Sequence, residues 1–360
     1  MKILITEPYK KNGGVYSFCE NIIPFLYNNN EIDIFKRGVK ENKSIKLLII
    51  FDQIINYFIF LKKILKNKYD LIFINTSLSK SNCLRDGIYI ILSKIFNNKV
   101  LLFIHGFNEK CLKNKILLKG YFFSDSIILL SDEFRIKIKN AGYKKNIYIS
   151  LNPVSKEISN YFTTNIIEER KLKKPLNILF LARIEEEKGI MIALKAFEIL
   201  INKKELLHFY IAGNGSKLKD AEAYVLNNKI KNVHFLGFIK GDEKLEILKE
   251  SDIFLFPTYH DEGLPINILE AMSAGLPIVT RPVGGINDFF ENGNMGYLIK
   301  TKNPVDFAEK IEMILNSNKY FNICKYNYEY ANNNFNAELI TKKLEIIMET
   351  IVYGNNWKFF

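Results

Sequence analysis

The sequence contains few cysteines, and those that it has lie far apart. The four of them, Cys19, Cys83, Cys111 and Cys324, form no C-x-x-C pair and show no metal-ligand spacing. This pattern indicates buried or free thiols in a reducing compartment. A disulfide scaffold or a zinc site is therefore not expected.

Long apolar runs are missing as well. The best candidate, residues 45–65, is interrupted by Asp52, Gln53, Asn56 and the pair Lys62-Lys63. A membrane-spanning helix needs about 20 consecutive residues with almost no charge. The opening strand-like segment, residues 1–6, is too short for the apolar core of a signal peptide. We therefore expect a cytoplasmic protein that is soluble or peripheral to a membrane.

The remaining composition is that of a folded protein. Hydrophobic residues make up 48% and charged residues 25% of the chain, which excludes disordered, collagenous and coiled-coil classes. A length of 360 residues exceeds one ordinary domain and suits two domains of roughly 150–200 residues each.

Positive charge is concentrated in the N-terminal half. The formal net charge is +12, but residues 1–150 contain 25 lysines and arginines against 12 acidic residues, whereas the rest of the chain contains 26 against 27. Such asymmetry indicates that the N-terminal half faces a polyanion. No nucleic-acid-binding motif is visible, so nucleic acid is not an expected partner.

Two basic amphipathic segments suggest an anionic membrane surface as that partner. Residues 54–65 carry apolar side chains at helical spacing. Lys62 and Lys63 lie within this segment, and Lys66 and Lys68 follow it. Residues 110–119 show the same pattern over a shorter length. Basic helices with bulky apolar faces bind anionic bilayers. The alternative is that both apolar faces pack on a sheet and the lysines are solvated.

Short apolar runs alternate with helical patterns along the whole chain. The runs are continuously apolar, which is typical of parallel strands covered on both faces. We predict strands at residues 2–6, 32–35, 71–75, 100–105, 126–130, 147–151, 178–182, 209–212, 233–236, 253–256, 277–280 and 297–299, and C-terminal helices at 303–317, 319–333 and 337–352.

The alternation predicts an α/β protein with two Rossmann-like, doubly wound domains facing a cleft. The pattern lapses over residues 152–175, where we place the junction. The predicted N-terminal domain covers residues 1–165 and the C-terminal domain residues 175–335, with a final helical segment at 336–360. Ligands of such sheets bind beyond the carboxyl ends of the strands.

Residues at two strand ends are suited to an anion. Gly13 and Gly14 follow the first strand and precede a helix, where backbone N–H groups can approach an anion, although paired glycines are often only a turn. Arg183 and Lys188 follow the first strand of the second domain and together could neutralise a diphosphate. Alternatively, the three glutamates between them neutralise both cations.

The stretch 256–277 is the most informative. It predicts a strand, a loop, and a helix with Pro265 in its first turn. Glu262 lies in the loop and Glu270 within the helix, and carboxylates accept hydrogen bonds well from sugar and ribose hydroxyls. The free amides of the helix start, near Ile266 and Asn267, would suit a phosphate.

As an ordered set, the motifs of this chain resemble those of the retaining glycosyltransferases of family 4, which have the GT-B fold and use nucleotide-diphosphate sugars. The resemblance covers nearly the whole chain and is strongest over residues 178–298. Its elements are R-x4-K-G from Arg183, G-N-G from Gly213, F-L-G ending at Gly237, the E-x7-E pair Glu262/Glu270 with E-A-M-S-A-G-L-P-I-V, G-G at 284–285 and N-G-N-M-G-Y-L at 292–298. Gly13-Gly14, His105 and Asn152-Pro153 fit more loosely.

This resemblance implies roles for individual residues. Arg183 and Lys188 would hold the donor diphosphate, Glu262 would bind hydroxyls of the donor sugar, and Glu270 would bind the ribose. His105 would lie near the donor sugar. The implied donor-binding set also contains Gly13, Gly14, Gly213, Gly237, Gly263, Leu264, Ile266 and Asn267.

The resemblance also implies a mechanism, in which the sugar is transferred with its anomeric configuration kept and the departing phosphate takes the acceptor proton. No Asp-x-Asp pair occurs in the strand-end loops, so we expect no metal or other cofactor. The last helix should cross back to the N-terminal domain. Pro265, where many members have glycine, and Asn287-Asp288 depart from the family pattern and leave the sugar undefined.

The leading hypothesis is a hexosyltransferase that uses a nucleotide sugar, with UDP expected. Its acceptor would be a lipid-linked or cell-surface glycan at the inner face of the cytoplasmic membrane. Two alternatives remain: a nucleotide-sugar 2-epimerase of the same fold, which would need no acceptor surface, and a non-catalytic protein that binds membranes or glycans. The joint presence of Arg183, Lys188, Glu262 and Glu270 argues against a decayed site.

Overall fold

The computed structural model describes residues 1–11, 13–38, 46–172, 175–203, 206–260 and 262–354. Its strands are β1 Lys2–Pro8, β2 Glu31–Arg37, β3 Leu71–Leu78, β4 Lys99–Phe107, β5 Ser126–Leu129, β6 Asn146–Ile149, β7 Leu176–Leu181, β8 Leu207–Ala212, β9 Val233–Gly237, β10 Ile253–Phe256, β11 Ile278–Thr280 and β12 Gly296–Leu298. Every predicted strand has its counterpart.

The helices connect these strands and close the chain. They are α1 Gly14–Leu26, α2 Lys46–Lys66, α3 Lys80–Ile95, α4 Lys115–Phe122, α5 Asp132–Asn140, α6 Lys156–Tyr161, α7 Thr164–Glu168, α8 Ile190–Ile201, α9 Leu218–Asn227, α10 Asp242–Glu250, α11 Ile266–Ser273, α12 Pro304–Leu315, α13 Tyr320–Asn334 and α14 Ala337–Tyr353. The three predicted C-terminal helices are confirmed as α12, α13 and α14. In the described part of the chain, no helix combines the length and the apolar character needed to cross a membrane.

The chain folds into two compact units. The first contains Met1–Pro153, the short segment that ends at Leu264, and the C-terminal segment from Ala337. The second contains Val154–His260 and Pro265–Asn336. The first unit thus ends at Pro153, ahead of the boundary predicted at residue 165.

The reason for this earlier boundary is the stretch 154–170, which the sequence presents as a polar junction. Ile158, Phe162 and Ile167 are buried, so α6 and α7 belong to the second unit. Arg170 fixes the end of the stretch, because its guanidinium donates to the carbonyl oxygens of Ser251 at 2.8 Å and Leu248 at 2.9 Å.

The first unit is built on a parallel sheet of six strands in the order β2-β1-β3-β4-β5-β6. Its central strands are apolar on both faces, as in β3, where Ile72, Phe73 and Ile74 are fully buried. The strand order reverses between β1 and β3, which marks a topological switch point at their carboxyl ends. Helix α14 packs on α1, and Asn30 donates to Glu345 at 2.7 Å, so the C-terminal helix does return to this unit.

Two predictions for the basic segments of this unit need correction. The apolar residues of α2 do not share one face: Phe60 and Ile64 are buried, whereas Phe58 is 67% exposed. The segment 110–119 is not one helix but a short 3₁₀ helix, Glu109–Lys113, followed by α4. The break occurs because the Asn114 side chain accepts a hydrogen bond from the Leu117 N–H and caps α4.

The second unit contains another parallel sheet of six strands, in the order β12-β11-β10-β7-β8-β9. This is the Rossmann order, with its switch point between β7 and β10. The loops after these two strands carry Arg183, Lys188 and the segment before α11. The topology therefore brings together two of the motifs that the sequence singled out.

The four cysteines are free and buried, as expected. Burial raises the pKa of the Cys19 and Cys83 thiols to about 12 and that of Cys324 to about 11. They are structural apolar side chains, since a thiol with a raised pKa is a poor nucleophile at neutral pH.

Candidate active site

The loop after β7 presents two cations in different environments. The Arg183 side chain is exposed, whereas Lys188 is buried, with its Nζ 5.9 Å from the ring centroid of Phe256. Gly189 follows with a φ of 83° and is the N-cap of α8. One cation is thus free to reach a ligand and the other is held in place at the strand edge.

The three glutamates between these cations are engaged elsewhere. Glu185 accepts hydrogen bonds from the backbone and side chain of Ser216, which lower the pKa of its carboxyl. Glu186 lies 3.7 Å from the Lys217 ammonium, and Glu187 lies 3.4 Å from the His260 ring. Each glutamate thus has a partner other than these two cations, although the charge of Arg183 also lowers the pKa of Glu185.

The glycine-rich turn after β8 is packed directly against this loop. A Cβ on Gly213 would lie 1.8 Å from the Ala182 carbonyl oxygen, so no other residue fits. The Gly213 N–H donates to the carbonyl oxygen of Gly237 at the end of β9, at 2.6 Å. Gly213 and Gly237 therefore position the loop rather than provide side-chain chemistry.

Helix α11 begins at the same sheet edge. Pro265 is the N-cap of α11, whereas the sequence predicted it in the first turn of the helix. No side chain caps the helix. Asn267 donates from its amide to the Leu181 carbonyl oxygen at 2.7 Å, which ties the helix start to the end of β7. The positive end of α11 is thereby held beside the loop of Arg183 and can attract an anion.

Glu270 is buried and paired with a lysine that sequence reasoning did not single out. Its side chain is 10% exposed, and its Oε2 lies 2.6 Å from the Nζ of Lys244 on α10. Because a buried carboxylate needs a compensating partner, Lys244 belongs to the site. No local signal could have identified it, since the two residues are separated by a strand and a loop.

Within the first unit, His105 lies near the end of β4 and is buried between aromatic rings, 4.0 Å from the Phe103 centroid and 4.5 Å from that of Phe18. Its Nε2 is 3.1 Å from Oδ1 of Asn75, whose amide donates to the Thr6 carbonyl oxygen. Asn75 Oδ1 must therefore accept, which places the ring proton on Nε2.

This environment keeps the imidazole neutral. Burial lowers the pKa of His105 to about 3; the side chain of Asn152 opposes that shift and the charge of Arg37 adds to it. Nδ1 is left with a lone pair that has no hydrogen-bond partner among the described residues. Asn75 was also missed from the sequence, because a single asparagine within a strand does not indicate a partner on another strand.

The segment that carries Glu262 packs on this histidine. A Cβ on Gly263 would lie 1.9 Å from the His105 carbonyl oxygen, and Asn152 donates to the Leu264 carbonyl oxygen at 2.8 Å. Glu262 itself is half-buried. The close approach explains why glycine occupies position 263.

The predicted site residues therefore fall into two groups. The second unit holds Arg183, Lys188, Gly213, Gly237, Ile266, Asn267 and Glu270 at the edge of its sheet. The first unit holds Gly13, Gly14, His105, Glu262, Gly263 and Leu264. Gly13, with a φ of 87°, is the N-cap of α1, and Gly14 is its first residue. Among the described residues, no group of three or more His, Cys, Asp or Glu could hold a metal ion.

Comparison with known proteins defines the class. Residues 162–333 match the family model of glycosyl transferases group 1. The crystal structure of Anabaena HepE in complex with UDP and glucose superimposes with a TM-score of 0.74 at 16% identity, covering 97% of this chain and all of that one (100%). Such a likeness over both units shows the GT-B fold.

Relatives in sequence agree. An uncharacterised glycosyltransferase of Methanocaldococcus jannaschii is 24% identical over 72% of this chain and 74% of its own length. The N,N'-diacetylbacillosaminyl-diphospho-undecaprenol alpha-1,3-N-acetylgalactosaminyltransferase of Campylobacter jejuni is 27% identical over 57% of this chain and 55% of its own length. The chain is thus similar to the group 1 glycosyltransferases through residues 162–333, and these comparisons support an enzyme of sugar transfer.

Proposed function

We propose that this enzyme transfers a hexose from a UDP-linked sugar to a lipid-linked glycan, with retention of the anomeric configuration. The observation that carries the proposal is the edge of the second sheet, where Arg183, Lys188 and the uncapped start of α11 lie together. The UDP and glucose in the HepE structure support the donor class. The diphospho-undecaprenol in the name of the Campylobacter relative supports the acceptor class.

In this proposal the diphosphate of the donor is held by electrostatics alone. Arg183 provides a forked contact and Lys188 a fixed point charge, while the α11 amides face the same group. Negative charge grows on the leaving phosphate in the transition state, and groups already oriented toward it lower the barrier. The leaving phosphate takes the proton of the acceptor hydroxyl. We propose that no divalent cation takes part, so activity should persist in excess EDTA.

The two glutamates recognise hydroxyl groups. Glu270 accepts from the ribose, with Lys244 compensating its charge, and Glu262 accepts from the donor sugar. His105 contributes the lone pair of Nδ1, which can accept from a hydroxyl of the sugar. The close packing of Gly263 on the His105 backbone supports a common role for these two residues.

A membrane surface is the proposed location of the acceptor. The outer face of α2 exposes Ile50, Phe51, Phe58, Ile59 and Leu65, and the neighbouring α3 and α4 expose Leu84, Ile95 and Ile116. Lys62, Lys66 and Lys68 flank this apolar face and are exposed. Apolar side chains bordered by lysines suit the interface of an anionic bilayer.

The proposal is tested by substitutions that remove one cation each. Arg183→Gln and Lys188→Met should each lower kcat/KM for the UDP-sugar by about 100-fold or more, because each removes charge that faces the leaving group. Lys195→Gln, which removes an exposed lysine of α8, is the matched control and should leave kcat/KM unchanged. Turnover within threefold of the wild type for either cation variant would contradict the diphosphate assignment.

A second experiment concerns the ribose. The wild type should bind UDP more tightly than 2′-deoxy-UDP by calorimetry, and Glu270→Ala should abolish the difference. Glu243→Ala, an exposed glutamate on α10, should preserve it. A free epimer released from the donor without any acceptor would instead favour the 2-epimerase.

A further inference from the structure

The first unit contains a pocket of about 310 Å³ that none of the roles above uses. It lies at the carboxyl ends of β1, β2 and β3, which is the switch point of this sheet. Its lining includes Tyr9, Lys10, Arg37, Ser77, Asn82 and Arg85. Three of these six side chains are cationic.

The charges beneath this pocket are not balanced. The buried carboxylate of Asp86 lies 3.1 Å from NH1 of Arg37 and receives a forked contact from Arg85, at 2.7 and 2.9 Å. Thr76 also donates to the same carboxylate. Among the described residues, two guanidinium groups therefore share the carboxylate of Asp86, and Lys10 also lines the pocket.

Donors remain unused after these contacts are made. Arg37 is only 3% exposed, yet its Nε has no hydrogen-bond partner in the described part of the chain. Burial lowers the pKa of Arg37, Asp86 opposes that shift and Arg85 adds to it, as expected for a cation that is incompletely compensated. An unpaired buried donor costs free energy, and a bound anion would supply the partner that Arg37 Nε lacks.

Two helix starts add positive potential. Val15, the second residue of α1, and Asn82, in the first turn of α3, both line the pocket. The N-terminal ends of helices favour anions. Together with the two guanidinium groups, these helix starts favour an anionic ligand in the pocket.

We infer that this pocket binds an oxyanion of the acceptor, namely the phosphate next to its glycan. The inference rests on the proposed function for the identity of the acceptor, but the pocket itself lies wholly in the first unit. A sugar carboxylate offers the same chemistry, and the experiment separates the two sources.

The test is calorimetric titration of the full chain with inorganic pyrophosphate. It is done in the Arg183→Gln/Lys188→Met background, so that the cations assigned to the donor do not contribute. Arg85→Gln should weaken binding at least tenfold. Asn82→Asp should do the same by placing a negative charge at the pocket while leaving the ion pairs of Asp86 intact. Arg135→Gln, a partly exposed arginine on α5, is the matched control and should have no effect.

The outcomes are distinct. The inference would be overturned if Arg85→Gln and Asn82→Asp both fold and both bind pyrophosphate with an affinity within twofold of that of the Arg183→Gln/Lys188→Met chain. Binding of glucuronate but not pyrophosphate, lost in Arg85→Gln, would keep the oxyanion site and assign it to an acidic sugar. UDP binding is measured separately in chains that keep Arg183 and Lys188, and Arg85→Gln should leave it unchanged. If the wild type does not bind UDP, the proposed function is refuted but the inference about the pocket is not.

Discussion

Gly213 illustrates how one missing side chain positions the loop that carries Arg183. The carbonyl oxygen of Ala182 occupies the place where a Cβ would be, and Arg183 follows directly. A backbone atom cannot move aside as a flexible side chain can. The fit of the second unit therefore depends on this glycine.

We expect Gly213→Ala to lower the free energy of unfolding by about 3 kcal/mol or more, because it combines overpacking with an unfavourable φ of 143°. Gly237→Ala is the control: its φ is 69° but no atom lies within 4 Å of the added Cβ, so about 1 kcal/mol is expected. Denaturant unfolding measures both values. Equal losses would show that the contact with Ala182 is unimportant.

His105 gives the first unit a dependence on pH. The pKa of His105 is about 3 in the folded protein, whereas its ordinary value is 6.5. Between pH 3 and pH 6.5 the imidazole is therefore protonated in the unfolded chain but neutral in the folded protein. Stability should therefore fall as the pH drops below 6.5, by up to about 1.4 kcal/mol per pH unit from this residue.

His105→Gln should flatten this slope between pH 6 and pH 4, as measured by denaturant midpoints. His260→Gln, an exposed histidine, should retain it. An unchanged slope in His105→Gln would mean that the imidazole is not held neutral by its surroundings.

At the scale of elements, α2 has two apolar faces. Its inner face contributes Phe60 and Ile64 to the core, and its outer face leaves Phe51 and Phe58 more than half exposed. Of the lysines near its end, Lys63 lies 3.5 Å from Asp33, so it is less available to a membrane than the sequence suggested. Lys62, Lys66 and Lys68 are the exposed ones.

Replacing Lys62, Lys66 and Lys68 by Gln should weaken binding to phosphatidylglycerol vesicles by on the order of 100-fold, since each lysine contributes about 1 kcal/mol near an anionic surface. Sedimentation with vesicles measures the loss. Replacing three exposed lysines of the second unit, Lys219, Lys229 and Lys231, removes the same charge and should have little effect. Equal losses in both triple variants would indicate unspecific attraction.

At the scale of the whole molecule, the proposed roles of the two units differ. The first has the excess positive charge and the oxyanion pocket, and the second has the family match and the proposed donor cations. Ligands of the two reactants should therefore leave different footprints on the chain.

Hydrogen–deuterium exchange should show this division. Saturating UDP should slow exchange most in residues 182–190 and at the start of α11, because bound ligand suppresses local opening. The backbone of α3, which lines the oxyanion pocket, should be slowed by pyrophosphate instead. Protection by UDP that spares 182–190 would contradict the donor site.

Much of the architecture could be predicted from the sequence. Apolar runs predicted the strands, and most directly β3, β4, β5 and β10, because strands buried on both faces must be apolar throughout. Glycine and proline positions identified the turns, and the order of motifs predicted the candidate site residues of the second unit. These features are local, so short stretches of the sequence are enough to recognise them.

Only the tertiary structure decided which side chains become partners. Lys244 with Glu270, Arg37 with Asp86 and His105 with Asn75 are contacts between residues far apart in the chain. For the same reason, the stretch 154–170 belongs to the second unit and several described apolar side chains of α2 are exposed. Periodicity shows that a face is apolar, whereas what covers that face depends on strand order and helix packing, which bring distant residues into contact.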